Sequence, residues 1–238
     1  MAAVATLYRS TIGKKVVMAL SGMILVGFVV FHMIGNLKIY LGPVALNTYA
    51  AFLREVGEPL LPYEVLLWMA RLVLLAAVGA HIVAAVQLTR KDRDGRPVHY
   101  ANKRTLQASF ASKTMRWGGV IVLLFIIFHL LNFTFGAVGY DAARPYVHGE
   151  NGEFQAYNNV VYGFMNPFVS LFYILAMGAL GLHLYHGTWS MFQTLGVNSY
   201  RWNAMWRWLA IGVAIVTVLG NISIPIAVML GFLQPVAG

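Results

Sequence analysis

Cysteine is absent from this 238-residue chain, and acidic side chains are scarce, with 8 Asp and Glu against 17 Lys and Arg. The first absence excludes disulfides, thiolate zinc sites, protein-ligated iron–sulfur clusters and covalently attached c-type haem, so any redox centre needs other ligands. Charge of either sign is also thin, at 11% of residues, where a soluble domain carries about 25%. Apolar residues make up 59% and the mean hydropathy is +0.69. These values exclude an ordinary soluble globular domain and predict an all-α polytopic membrane protein. The basic excess does not point to nucleic acid, because the cations are squeezed between apolar stretches instead of spread over a soluble face. With no repeat or low-complexity tract, a single membrane domain is expected over 1–238.

A helix needs about 20 mostly apolar residues to cross a bilayer. Five stretches qualify, at about 16–37, 62–89, 117–137, 166–193 and 208–233. The second is interrupted only by Glu64 and Arg71 near its start, and the fourth starts at Asn166-Pro167 because proline is favoured in the first helical turn. The first is too long for a signal peptide and lacks a small-residue cleavage site after it. Short loops vote on sidedness through their Lys and Arg. The segment before the first span, the loop between the second and third, and the loop between the fourth and fifth hold 13 of the 17, leaving Lys38, Arg54, Arg71 and Arg144 for the other side. The N-terminus is therefore expected in the cytoplasm and the C-terminus outside, in the cell's inner membrane.

Five of the seven histidines, His32, His81, His129, His183 and His186, fall inside spans, whereas His99 and His148 lie in loops. An ionisable group in hydrocarbon is costly and is a functional candidate by default, although any one imidazole can simply bond across a helix interface. Depth separates these readings. At 1.5 Å of rise per residue, His32 lies roughly 25 Å and His129 roughly 20 Å from the basic side, while His81 lies about 13 Å and His183 about 15 Å in. Four helices thus contribute one His each, in two pairs at two depths. A haem iron held by two protein ligands needs imidazoles from facing helices at equal depth. Small residues such as Gly22, Gly27, Gly35, Gly79, Gly118, Gly119, Gly178 and Gly181 suit helices that thin beside a haem plane. Zinc or copper would normally add carboxylate or thiolate ligands, which the spans lack. His186, three residues after His183, is a poorer depth match to His81 and is a candidate to bond a haem propionate or a quinone oxygen.

Three stretches then carry a resemblance: SGMILVGFVVFHMIGNL around His32, SKTMRWGGVIVLLFIIFHLLNF around His129 and GLHLYHGTWSMFQTLG around His183. Together they resemble the dihaem cytochrome b anchor of succinate dehydrogenase and fumarate reductase, over essentially the whole chain. The resemblance implies two b haems, a flavoprotein subunit and an iron–sulfur subunit docked on the cytoplasmic face, and electron transfer from succinate to a quinone. It implies no dehydrogenase activity for this chain alone. It assigns the inner haem to His81 and His183 and the outer haem to His32 and His129, with His186 as the rival ligand in the HLYH motif. Lys113 and Arg116 are candidates for haem propionates or the docking surface, or they are ordinary positive-inside cations. Glu64 is a candidate carrier of a quinone-linked proton or an interfacial residue, and Arg71 a candidate partner of an outer propionate. Two haems across the bilayer suggest a low-potential quinone such as menaquinone. Rival readings are a dihaem anchor for another dehydrogenase, such as a hydrogenase, and a transporter, for which broken helices, repeats or paired intramembrane acids should be found.

Overall fold

The computed structural model describes residues 10–95, 110–148 and 155–236, the side chains of 110–113 excepted. Arg9, Arg96, His99, Lys103, Arg104 and the Lys113 side chain lie outside the described residues. Within them the chain is helical, with no strand beyond one isolated bridge between Asp141 and Arg144. The helices are α1 (Thr11–Asn36), α2 (Pro43–Glu55), α3 (Val65–Asp94), α4 (Phe110–His129), α5 (Ala156–Phe164), α6 (Pro167–Thr194) and α7 (Asn203–Met229). A 3₁₀ turn, Leu37–Leu41, extends α1, and a π-helical turn, Leu130–Thr134, extends α4. Among the described residues, five helices are long and apolar enough to span a bilayer: Thr11–Leu41, Val65–Asp94, Thr114–Thr134, Pro167–Thr194 and Asn203–Met229.

The expected spans are therefore present, but several ends move for local reasons. The first begins at Thr11, not near 16, because Ser10 caps the helix and accepts the Gly13 N–H at 2.9 Å. Lys14 and Lys15 consequently ride on the first turns of α1. The second begins at Val65, so Pro62 and Glu64 are not in the helix. Glu64 stands at the N-cap position with φ 62°, a left-handed conformation that ends the helix backwards. At its other end α3 runs on to Asp94, where Lys91 and Arg93 complement the carbonyl end of the helix dipole. The third stops at Thr134 because Gly136, at φ 62°, turns the chain out. The fourth agrees to within a residue, with Asn166 Oδ1 accepting from Phe168 N–H and Pro167 opening the helix. The fifth starts earlier, at Asn203, and ends at Met229, followed by Gly231 at φ 78°. The short helices α2 and α5 lie outside the spans and were not anticipated.

Helix α6 is the centre of the bundle. Of its membrane window 44% is buried, against 11% for α4. Helix α6 packs on α1, α4 and α7, while α3 packs on α1. Outward faces remain apolar, as for Phe31 at 73% and Trp117 at 75% exposed, because lipid rather than water surrounds them. Beside α6, Phe125, Phe128, Phe133, Phe164 and Tyr173 interlock edge to face at 5.0–6.0 Å between centroids.

Two adjacent asparagines of α5 tie the loops down. The Asn159 amide donates to Val147 C=O at 2.8 Å and accepts from Val147 N–H at 2.9 Å, so it stands in for a strand neighbour. Asn158 does the same for Val236, at 3.0 Å each way. Substituting Asn159→Ala should leave both Val147 groups without these partners and cost about 1–2 kcal/mol. The readout is the thermal unfolding midpoint in detergent, and an unchanged midpoint would count against this clamp.

Candidate haem and quinone sites

Four of the five intramembrane histidines meet in two pairs. The His32 and His129 ring centroids are 5.8 Å apart with planes at 89°, and those of His81 and His183 are 6.2 Å apart with planes at 60°. A metal bound by two opposed imidazoles at about 2 Å each places the nitrogens about 4 Å and the ring centroids about 6 Å apart, so both pairs have the span of a two-imidazole site. Met18 and Ser21 of α1 contact His81, and His32 lies 11 residues beyond Ser21. The two pairs are thus separated by roughly 16 Å along α1.

The helices that carry facing histidines, α1 with α4 and α3 with α6, do not pack closely backbone to backbone; each pair flanks a shared neighbour instead. Gly22 sits against His81, where an added Cβ would lie 3.4 Å from Cε1, and Gly119 sits against His183 with the corresponding distance 3.6 Å. Other glycines have different uses. Gly35 admits the Tyr49 ring and Gly181 admits Val218, whereas Gly27, Gly79, Gly118 and Gly178 have nothing within 4 Å of an added Cβ.

Hydrogen bonds at the Nδ1 edges aim two of the rings. His81 Nδ1 lies 3.1 Å from Met18 C=O, an acceptor only, so this nitrogen carries the proton and leaves Nε2 with its lone pair. Ser21 Oγ, 3.2 Å away, already donates to Val17 C=O at 2.7 Å. His129 Nδ1 is 3.2 Å from Tyr173 Oη. His183 Nδ1 and His186 Nδ1 are buried with no hydrogen-bond partner among the described residues. His183, not His186, is the ring of the HLYH motif that meets His81. Phe28 stacks on His32 at 5.2 Å. Among the described residues no group of three His, Asp and Glu side chains gathers, so neither pair acquires the extra carboxylate of a typical zinc or copper site. The donor sets and their spacing fit haem held by two imidazoles.

Near the outer pair lies a cavity of about 810 Å³ bordered by Arg54, Glu64, Phe133, Tyr146, His148 and Asn159, among others. Phe133 also neighbours His129, with ring centroids 5.8 Å apart, and so borders both the cavity and that pair. Glu64 is pinned in its wall. Its carboxylate meets Arg54 Nε at 3.0 Å and Trp68 Nε1 at 3.3 Å, and its N–H donates to Arg54 C=O at 2.7 Å. Arg71 is one turn beyond Trp68 and lies over its ring at 4.7 Å. His148, exposed, stacks edge-on against Tyr146 at 4.9 Å. Beyond the cavity, the Arg144 guanidinium holds the Asp141 carboxyl below the usual carboxylate range. Burial raises the Tyr146 phenol above its ordinary value, and the Arg54 guanidinium opposes that rise.

At the opposite, basic end Arg116 pairs with Asp92 at 3.0 Å, both exposed, and so ties α4 to the end of α3. Trp206 stacks on Phe192 at 3.8 Å, Trp117 and Trp208 are exposed, and Tyr40 donates to Ser223 Oγ at 2.9 Å. Sequence reasoning missed Tyr173, Asn132, Ser21 and the carbonyl of Met18 at the histidines, and Arg54 at Glu64. An asparagine three residues after His129 within an apolar run was the available signal for one of them. Comparison with protein-family models, with curated proteins and with solved structures gives no match to this chain.

Proposed function

We propose that this chain is the membrane-anchor cytochrome b subunit of a succinate:quinone oxidoreductase, holding two b haems and passing electrons from an iron–sulfur partner to a quinone. The observation that carries the reading is the pair of level, facing imidazole couples separated along the bundle axis, each about 6 Å across. His81 and His183 hold the inner iron; His32 and His129 hold the outer one. When bound, haem supplies a one-electron redox centre inside the bilayer. Around it the protein's part is to orient and to exclude water: Met18 C=O and Tyr173 Oη fix two of the rings, and Gly22 and Gly119 keep side chains off their edges. Buried and without a partner, His186 Nδ1 is a donor for a propionate or another polar edge. The cavity beside Phe133 and Glu64 is the quinone site of this reading, with the Glu64 carboxylate in its wall as the candidate carrier of a quinone-linked proton. The basic end, with Arg116, Arg201 and Arg207, faces the cytoplasm and the flavoprotein and iron–sulfur subunits.

The test is to purify the chain with its neighbours, quantify haem per polypeptide and record reduced-minus-oxidised spectra with succinate as reductant. Two low-spin b haems reduced by succinate are expected; a haem-free, transport-competent protein would overturn the reading. Haem reduced by another donor but not by succinate would identify a dihaem anchor of a different dehydrogenase, such as a hydrogenase. Menaquinone is the quinone of this reading. Electron movement across the membrane potential is worth about 2.3 kcal/mol per charge per 100 mV, so succinate-to-menaquinone turnover in sealed vesicles should change when an uncoupler is added. Indifference to the uncoupler counts against transmembrane transfer.

A further inference from the structure

The π-helical turn after His129 carries a second polar side chain that reaches the histidine through Tyr173. Asn132 is 0% exposed, and its Nδ2 donates to Val138 C=O at 2.7 Å. Because that carbonyl can only accept, the amide is oriented with Oδ1 toward Tyr173. Tyr173, itself buried, donates its one proton to Asn132 Oδ1 at 3.1 Å. With that proton committed, the phenol oxygen can only accept from the remaining neighbour, His129 Nδ1 at 3.2 Å. The chain of bonds runs one way, from His129 Nδ1–H to Tyr173 Oη–H, to Asn132 and on to Val138.

We infer that Tyr173, oriented by Asn132, is a positioning residue that fixes the Nδ1–H form of His129 and sets how strongly its Nε2 donates to iron. An acceptor at Nδ1–H moves electron density into the imidazole and raises ligand basicity, which favours the oxidised metal. This inference rests on the haem reading above. It also implies unequal sites, since the inner level uses the Met18 carbonyl instead of a hydroxyl. Outer-shell partners of this kind are worth about tenfold or more, and a tenfold change in the oxidised-to-reduced ratio is about 59 mV for one electron.

The experiment uses the purified complex and the Tyr173→Phe variant, which keeps the ring and its aromatic packing while removing only the hydroxyl. Potentiometric titration of both haems is the readout, the outer one being identified as the haem lost in His32→Ala. Tyr173→Phe should raise the outer midpoint potential by about 59 mV and leave the inner one unmoved. Tyr157→Phe, which removes another buried hydroxyl, one bonded to Gln234 C=O at 3.1 Å, should move neither. The inner potential and the haem content serve as checks on folding. An unmoved outer potential, or equal shifts of both haems, would overturn the inference alone. Absence of haem from the unsubstituted complex would instead remove the functional reading and the inference with it.

Discussion

Replacing His32 by alanine is expected to leave the purified complex with one haem instead of two. His32 meets one intramembrane imidazole, His129, and the inner pair draws its support from a separate part of the same helix, through Met18 and Ser21. The His81 ring bonds to Met18 and Ser21 and the His129 ring to Tyr173, so the inner pair should keep its geometry when the outer one is emptied. His129→Ala should give the same loss, and the double substitution no more than either single one, because two ligands of one iron act as a unit. Haem quantification and a titration with one potential in place of two are the measurements. Loss of both haems, or retention of both, would contradict the pairing.

Glu64→Gln should cut succinate-to-quinone turnover by about 100-fold, the lower range for loss of a positioned proton carrier, while haem reduction by succinate remains fast. The amide keeps the length of the side chain and can still accept from Arg54 Nε. What it loses is the capacity to take up and release a proton. Such a block would appear as haem that fills with electrons and empties slowly when quinone is added. Full-rate turnover in this variant would move the quinone elsewhere and leave the Arg54–Glu64 pair as a structural tie.

How much of this was legible in the sequence follows from which interactions are periodic and which are not. The spans announce themselves because lipid demands long uncharged runs, and the depth of each histidine follows from a fixed rise per residue. Counting therefore paired His32 with His129 and His81 with His183, and the rings do meet that way. The same count favoured His183 over His186, which shares its face three residues on but matches the depth of His81 less well, and His183 is the ring that meets His81. Counting could not foresee that Glu64 would leave the helix: a left-handed glutamate is set by its contacts with Arg54 and Trp68, one of them ten residues back along the chain. Tyr173 was hidden for a similar reason. A tyrosine in an apolar helix reads as packing until Asn132, 41 positions away, shows where its hydroxyl goes.

Helix α6 touches both levels, contributing the His183 ring at one and the Tyr173 hydroxyl at the other, ten residues and roughly 15 Å apart. Helix α1 does likewise through Met18 and His32. These two adjoining rods work as a common ruler: the stretch from Met18 to His32 on one and from Tyr173 to His183 on the other sets how far apart the upper and lower couples stand.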